Sequence, residues 1–425
     1  MSALARYFLS EKWQVSGSDL SPSSITDELR KEGVKISIGH QASNIQPHAQ
    51  LIVFNNAIQN SNPELKRARD LGLACRTYPE VVGELTKTYK TIAIAGSHGK
   101  STTTSMTALI LIEAGFDPNV IVGTKLKEFG GKNFRKGKGG YLVLEADEWK
   151  AAFHHYSPFV ATITNIDAEH LDFYKNFDGV KKSFEKFRSR CHKVVERPNN
   201  PELAKKIRRI LKVPGEHNVQ NALNAYALAS FLGIPEKIIL SALGKYNGAW
   251  RRMEFRGYLN RETVSSIKYP VLGIKKHSYS IPDTKYKIPV YDDYGHHPTE
   301  IKATLAGLRQ KYAKNALICV FQPHQAQRLK LLFPAFKTCF RGANRVIILP
   351  TYEVAGRERG FEQKYSSEAL ARAIEATYVA NPERDLKMTL QQMTNNLMTN
   401  NRSAPPVIVM MGAGTISDLT PKILK

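Results

Sequence analysis

The sequence is short of several features that would have narrowed its class. It has four cysteines, at 75, 191, 319 and 339, with no CxxC pair and no metal-ligand spacing. So few in so long a chain exclude a disulfide framework and predict a reducing, cytosolic setting. No stretch approaches the roughly 18 consecutive apolar residues of a membrane span. Arg6 interrupts the opening run MSALARYFLSEK and no small-residue cleavage site follows, so an amphipathic helix is expected there rather than a signal peptide. Internal repeats and low-complexity tracts are missing. Acids are scarce too: 38 Asp+Glu face 61 Lys+Arg, a formal net charge of +23. That excess points to an anionic partner, meaning nucleic acid, acidic membrane or a polyphosphate substrate. Charge alone does not choose among them.

Hydrophobic residues make up 42% of the 425, which excludes wholesale disorder. At roughly 150 residues per domain, the length predicts about three domains. The first, residues 1–88, alternates a strand ending in a loop at 14–19 and a buried apolar strand at 51–54 with helical patterns at 24–31 and 62–71. Pro63 stands in the first turn of the second helix, where a missing N–H is harmless. The second domain, 89–250, has strands at 91–95, 141–144 and 159–164 and helices near 100–114 and 219–232. The third, 251–425, has strands near 288–292, 316–321, 345–349 and 406–411. Strands alternating with helices throughout predict an α/β protein with mainly parallel sheets.

Two segments concentrate the positive charge. Residues 125–138 hold six Lys/Arg, one acid and three glycines, the composition of a mobile basic loop. Residues 175–212 hold thirteen Lys/Arg and four acids. They read either as a solvated helical face or as a lure for phosphates or nucleic acid. Phe177, Phe184 and Phe187 are interleaved there at spacings that also suit a buried stripe.

The strongest chemical signal is Gly96-Ser97-His98-Gly99-Lys100-Ser101-Thr102, between a strand and a helix. Successive backbone N–H groups in such a loop wrap a phosphate, and the helix N-terminus adds a favourable dipole. Lys100 supplies a point charge for the β- and γ-phosphates, and Ser101 or Thr102 a hydroxyl for Mg²⁺. Position 94 is Ile where the full eight-residue pattern has glycine, so the loop is a shortened variant. Glu145-Ala146-Asp147-Glu148 follows directly on the strand YLVL, at the strand end where ligands bind in open α/β sheets. If strand geometry persists, Glu145 and Asp147 share a side. A third segment, Thr164 to Asp172, places His170 after another apolar strand.

Eight stretches, GSHGKSTTT, LEADE, TNIDAEHLDFY, PGEHNVQNALNA, RRMEFRG, YDDYGHHPTEIKATL, FQPH and a closing GAG, occur in the order seen in Mur ligases. The chain resembles that family over nearly its whole length. The resemblance implies three domains: a Rossmann-like UDP-sugar-binding domain, a P-loop ATPase-like central domain and a Rossmann-like C-terminal domain for the amino acid. It implies an ATP- and Mg²⁺-dependent, amide-forming enzyme of bacterial peptidoglycan synthesis, with UDP-N-acetylmuramate and L-alanine as substrates and no nucleic-acid partner. By position, Gly96 to Thr102 would hold the ATP phosphates, and Ser101, Glu145 and His170 the magnesium. His217 and Asn218 would read adenine. Arg252, Asp292 and His296 would close over nucleotide and acceptor, and Asp19, Tyr294, His324 and Arg328 would contact substrate. Lys100, Glu145, His170 and His296 are the expected catalytic set.

Three departures from the family pattern carry expectations. The family opens with a strand and a Gly-rich loop ahead of Met-Ser-Ala, so the resemblance implies that a first strand is missing here. Residues 192–213 are short and 258–287 inserted, which predicts a smaller central sheet and an extra hairpin or loop. Gln325 follows FQPH where the family commonly has Arg, so bidentate recognition of a carboxylate is weaker. Three rival readings stay open: a sister ligase that recycles a tripeptide, a truncated non-catalytic nucleotide-binding protein, and a nucleic-acid-binding ATPase.

Overall fold

The alternating strands and helices build two compact units in the computed structural model, Met1–Trp250 and Arg251–Lys425. The structure describes residues 1–260, 287–353, 362–400 and 404–425. Most of the expected insertion at 258–287 therefore lies outside the described residues.

In the first unit, β1 (Ser16–Asp19) pairs in parallel with β2 (Lys35–Ile38), and β3 (Ile52–Phe54) with β4 (Cys75–Thr77). The Rossmann-like sheet expected for 1–88 is thus two separate parallel pairs. Isolated two-strand pairs are marginal, so side chains must hold them. Glu64, on the helix Pro63–Asp70, accepts hydrogen bonds from Ser18 (2.6 Å) and Asn44 (2.6 Å) and stands 3.2 Å from His40. It ties the carboxyl ends of β1 and β2 to the helix that follows β3.

The remaining strands of this unit form one sheet: β5 (Lys90–Ala95), β6 (Asn119–Leu126), β7 (Lys132–Arg135), β8 (Tyr141–Glu145), β9 (Val160–Ile163) and β10 (Lys193–Val194). Their order is β10-β9-β5-β8-β6-β7, parallel except for β7. The period of two along β5 assigns its faces. Ile92 and Ile94 pack with the helices Lys100–Glu113 and Glu216–Phe231. Ala93 and Ala95 face the other way, leaving room for aromatic rings. Phe184 and Phe187 are fully buried there, and Phe187 stacks on Phe153 with ring centroids 4.7 Å apart. Both faces are covered, as parallel sheets require.

The buried stripe is therefore the correct reading of Phe184 and Phe187; Phe177 lies outside it, exposed beneath Lys181. The charges of 175–212 sit on the outward faces of the helices Phe177–Arg188 and Pro201–Ile210, in pairs such as Arg208–Glu216 (2.7 Å) and Lys206–Glu236 (3.1 Å). The mobile loop expected at 125–138 is overturned. These residues continue β6 into the antiparallel strand β7, and four of their six cations pair with acids. Lys125 meets Glu28 (2.5 Å), Lys132 meets Glu32 (3.5 Å), Arg135 meets Asp117 (2.5 Å) and Lys136 meets Glu11. Glu11, Glu28 and Glu32 lie on or beside the helices Ser2–Ser10 and Ser24–Lys31, so opposite charge docks the first segment on the sheet.

The second unit has one six-stranded sheet made of β11 (Glu254–Asn260), β12 (Lys287–Asp293), β13 (Leu317–Phe321), β14 (Arg345–Ile348), β15 (Thr377–Tyr378) and β16 (Val407–Met411). The order is β11-β12-β16-β13-β14-β15, with only β11 antiparallel. Apolar side chains alternate between two cores along β13, Cys319 and Phe321 to one and Ile318 and Val320 to the other. Register aligns Asp293, Met411 and Phe321, so the loops leaving β12, β13 and β16 start from one edge.

Candidate active site

The site in the first unit follows from strand order. β5 lies between β8 and β9, with Ile94 opposite both Glu145 and Thr162. The phosphate loop, the acids after β8 and the Thr164–His170 segment therefore leave neighbouring strand ends, where open α/β sheets bind ligands.

Two glycines are obligatory. Gly96 (φ 135°) and Gly99 (φ 83°) adopt conformations that L side chains rarely reach. A Cβ at Gly96 would stand 2.0 Å from Thr164 Oγ1, and one at Gly99 2.2 Å from Asn221 Oδ1. The segment after β9 clamps the loop. Asn165 Oδ1 accepts the His98 N–H (2.9 Å) and Asn165 Nδ2 donates to the His98 carbonyl (2.9 Å). Ser97 Oγ accepts the Asp167 N–H (2.8 Å), and His98 Nε2 lies 3.0 Å from the Asp167 carboxylate. Ser101 and Thr102 are buried in the first turn of the following helix.

Lys100 Nζ donates to the Gly96 carbonyl (2.6 Å), the Ser97 carbonyl (3.2 Å) and Glu148 (2.8 Å). Burial alone would lower its pKa, but Glu148 and Asp147 outweigh that and raise it above its ordinary value. It is held as a cation beneath the Gly96–Ser101 loop. Glu148 is 1% exposed. Burial would raise its carboxyl, yet Lys100 and His170 hold it below the usual range.

Ser101, Glu145 and His170 are the expected magnesium ligands. Two of them meet: Glu145 accepts the Ser101 hydroxyl (2.9 Å), and also the Gly123 N–H (2.6 Å). Among the described residues, one three-residue group with ligand atoms within 4.8 Å of one another is Asp147, Glu148 and His170. Strand geometry does not persist past Glu145. The chain turns there into the 3-10 segment Trp149–His155, so Asp147 no longer shares a side with Glu145. Carboxylate oxygens with a serine hydroxyl nearby suit a hard divalent cation such as Mg²⁺. Glu148→Gln keeps the shape but removes the charge that Lys100 and His170 face. We expect activity to fall about 10–100-fold with weaker Mg²⁺ dependence, read from a metal titration of phosphate release.

His217 and Asn218 lie in the first turn of the helix Glu216–Phe231. Asn218 Nδ2 donates to the Pro214 carbonyl (2.7 Å), fixing the turn, and Asn221, one turn on, abuts Gly99. The structure thus sets this helix end beside the phosphate loop. Asp19 closes β1, its carboxylate accepting the Ser21 N–H at 3.4 Å.

In the second unit, Tyr294, His296, His324 and Arg328 come together. His296 and His324 rings are 5.6 Å apart, and Arg328 reaches His324 Nδ1 at 3.2 Å. The guanidinium groups of Arg251 and Arg252 each lie 5.0 Å from the Tyr294 ring. Gln325 (φ 69°) precedes the helix Ala326–Leu331 and donates its N–H to the Tyr352 carbonyl. Asp292 is turned elsewhere. It is 1% exposed, accepts the Thr420 hydroxyl and faces Arg256 Nε at 3.4 Å. Its neighbour Asp293 organises the loop, accepting the Gly295 and Met253 N–H groups at 2.8 Å each. Strand alternation puts adjacent side chains on opposite faces, which the paired acids in YDDY could have signalled.

Burial pushes Asp292 up to about 7. A carboxyl raised above its unfolded value near 3.9 favours the folded state in acid and loses that advantage as pH rises toward 7. Asp292→Asn is therefore expected to melt several degrees above the parent at pH 8, the gap narrowing by pH 5. Equal midpoints at both pH values would count against a charged, buried Asp292.

Asn165, Asp167, Asn221, Glu148 and Asp293 were not anticipated. A signal existed for Asn221, because Asn218, Asn221 and Asn224 recur at helical spacing.

Three family models match in succession: "Mur ligase family, catalytic domain" over residues 1–90, "Mur ligase middle domain" over 94–210 and "Mur ligase, glutamate ligase domain" over 281–414. A UDP-N-acetylmuramate–L-alanine ligase of Aquifex aeolicus is 34% identical, with 100% of this chain and 95% of that protein covered. One from Desulfosudis oleivorans is 38% identical over 83% of this chain and 81% of its own length. Among solved structures, a UDP-N-acetylmuramate-alanine ligase of Thermotoga maritima superposes with a TM-score of 0.76 at 25% identity, covering 100% of this chain and 95% of that one.

Proposed function

The chain belongs to the Mur ligase family, and from that premise we propose that it joins L-alanine to the carboxylate of UDP-N-acetylmuramate in an ATP-dependent reaction. The observation that carries this reading is full-length likeness to alanine-adding relatives, with the phosphate loop and its acids in place.

The sugar carboxylate attacks the γ-phosphorus of ATP. The new O–P bond forms as the bond to the β-phosphate breaks, giving an acyl phosphate and ADP. Phosphoryl transfer is governed by positioning and charge stabilisation, so the loop N–H groups and the Lys100 ammonium supply most of the catalysis. Mg²⁺ held by Asp147, Glu148 and His170, or by Ser101 and Glu145, would add positive charge at the phosphates. The alanine amine then attacks the acyl carbon, the C–O bond breaks and inorganic phosphate leaves carrying a sugar oxygen. The surplus amine proton goes to a base, for which His296 is our candidate. Arg328, beside His324, is the cation we assign to the alanine carboxylate, a single contact where Gln325 offers no guanidinium.

Sugar substrate labelled with ¹⁸O in its carboxylate tests the pathway. One labelled oxygen should appear in inorganic phosphate for each amide formed. Unlabelled phosphate would exclude the acyl phosphate.

A further inference from the structure

Beyond the acids that face Lys100, the chain makes an unusual turn. Lys150 (φ 50°, ψ 32°) and Ala151 (φ 56°, ψ 31°) are consecutive non-glycine residues in the left-handed region. Such strained conformations persist only where the surrounding structure holds them. Here it does. The Trp149 N–H donates to Asp147 Oδ1 (3.2 Å), the Ala151 N–H to the Glu148 carbonyl (2.9 Å), and Tyr174 Oη donates to that same carbonyl. Glycine would relieve the strain; lysine keeps it and adds a cation. Its ammonium lies over the Trp149 ring at 4.9 Å and donates to the Asn56 carbonyl (2.7 Å), just beyond β3. Lys150 is exposed, and an ammonium has three donors, so one bond to Asn56 leaves two for a ligand.

The chemistry needs such a cation. On the ligase reading, Glu145, Asp147 and Glu148, at and just past the end of β8, would face an anionic sugar carboxylate approaching the nucleoside triphosphate. Lys100 is engaged with Glu148 and the loop carbonyls, and His170 Nε2 lies 3.6 Å from Glu148. We propose that Lys150 is a positioning residue for the acceptor, its ammonium receiving the carboxylate of the UDP-sugar and tethering it beside the Asn56 loop. This rests on the ligase reading above.

The full-length chain carrying Lys150→Ala, Lys150→Gln or Lys150→Arg tests it. For Ala and Gln, KM for UDP-N-acetylmuramate should rise roughly tenfold, the loss of one charge-assisted hydrogen bond. KM for ATP should stay within about twofold, and Arg should restore most of the affinity. Calorimetry should show weaker binding of UDP-N-acetylmuramate to the Ala variant and unchanged binding of UDP, which lacks the carboxylate. Unchanged sugar affinity in the Ala variant overturns the proposal, as does an equal loss for UDP, which would put the ammonium on the diphosphate. If the parent binds UDP-N-acetylmuramate yet releases no phosphate with L-alanine, the ligase reading fails, and calorimetry still decides the role of Lys150.

Discussion

Replacing Lys100 with alanine is expected to lower phosphate release by about 10²–10³-fold, or roughly 2.7–4 kcal/mol of transition-state stabilisation. The effect should be this large because Lys100 sits under the loop with its charge secured. Its ammonium contacts two loop carbonyls and Glu148, and the carboxylates of Glu148 and Asp147 keep it protonated. A transferring phosphoryl group spreads charge over its oxygens, and a preorganised cation stabilises it without rearrangement. Lys100→Arg retains charge on a planar head that does not fit between Gly96, Ser97 and Glu148, so it should recover little. Each variant should keep its circular dichroism spectrum and be assayed at saturating substrates. More than about a tenth of parental activity in the alanine variant would contradict this placement of the phosphates.

The second large effect concerns stability. Arg6 is 4% exposed, and its guanidinium binds Glu32 (3.0 Å), Glu28 (3.2 Å) and the Asn133 side chain (2.6 Å). It joins the helices Ser2–Ser10 and Ser24–Lys31 to β7. Burial would raise the Glu32 carboxyl, but Arg6 and then Lys132 hold it below its usual range. Truncating one partner of a buried ion pair strands the others at about 3–5 kcal/mol. Glu28 and Glu32 keep some contact with water, so about 2–4 kcal/mol is the fitting range for Arg6→Ala. That corresponds to a fall on the order of 10 °C in the apparent melting temperature. Arg6→Lys should recover only part, since one ammonium cannot fork to two carboxylates and an amide. A midpoint within about 2 °C of the parent would mean that the first segment docks through its apolar contacts instead.

How much was legible beforehand differs between these two sites. Gly96 to Thr102 could be read because a phosphate loop is local: glycines, lysine and hydroxyls act through backbone within seven residues. The strands at 91–95, 141–144 and 159–164 were visible as apolar runs, and they position everything else. The division of the acids was not visible. Glu145 and Glu148 differ only in lying before or after the end of β8, and one residue of strand decides which meets Ser101 and which meets Lys100. Nor was the basic hairpin. Its lysines read as a free loop because their partners, Glu11, Glu28 and Glu32, lie about a hundred residues earlier. Ion pairs fix several of these cations on helix faces and in docking the first segment, but each pair is neutral, so the excess of +23 stands apart from them. Asp292 was picked from the YDDY stretch, and strand alternation, not composition, assigns the loop to Asp293.

The central claim is that the acceptor amino acid is L-alanine. Phosphate release should be measured with ATP, Mg²⁺ and UDP-N-acetylmuramate present, comparing L-alanine with a muramyl tripeptide, and the product weighed by mass spectrometry. We predict release with L-alanine and a product heavier than the sugar nucleotide by one alanyl residue. Release with the tripeptide but not with L-alanine would contradict the account.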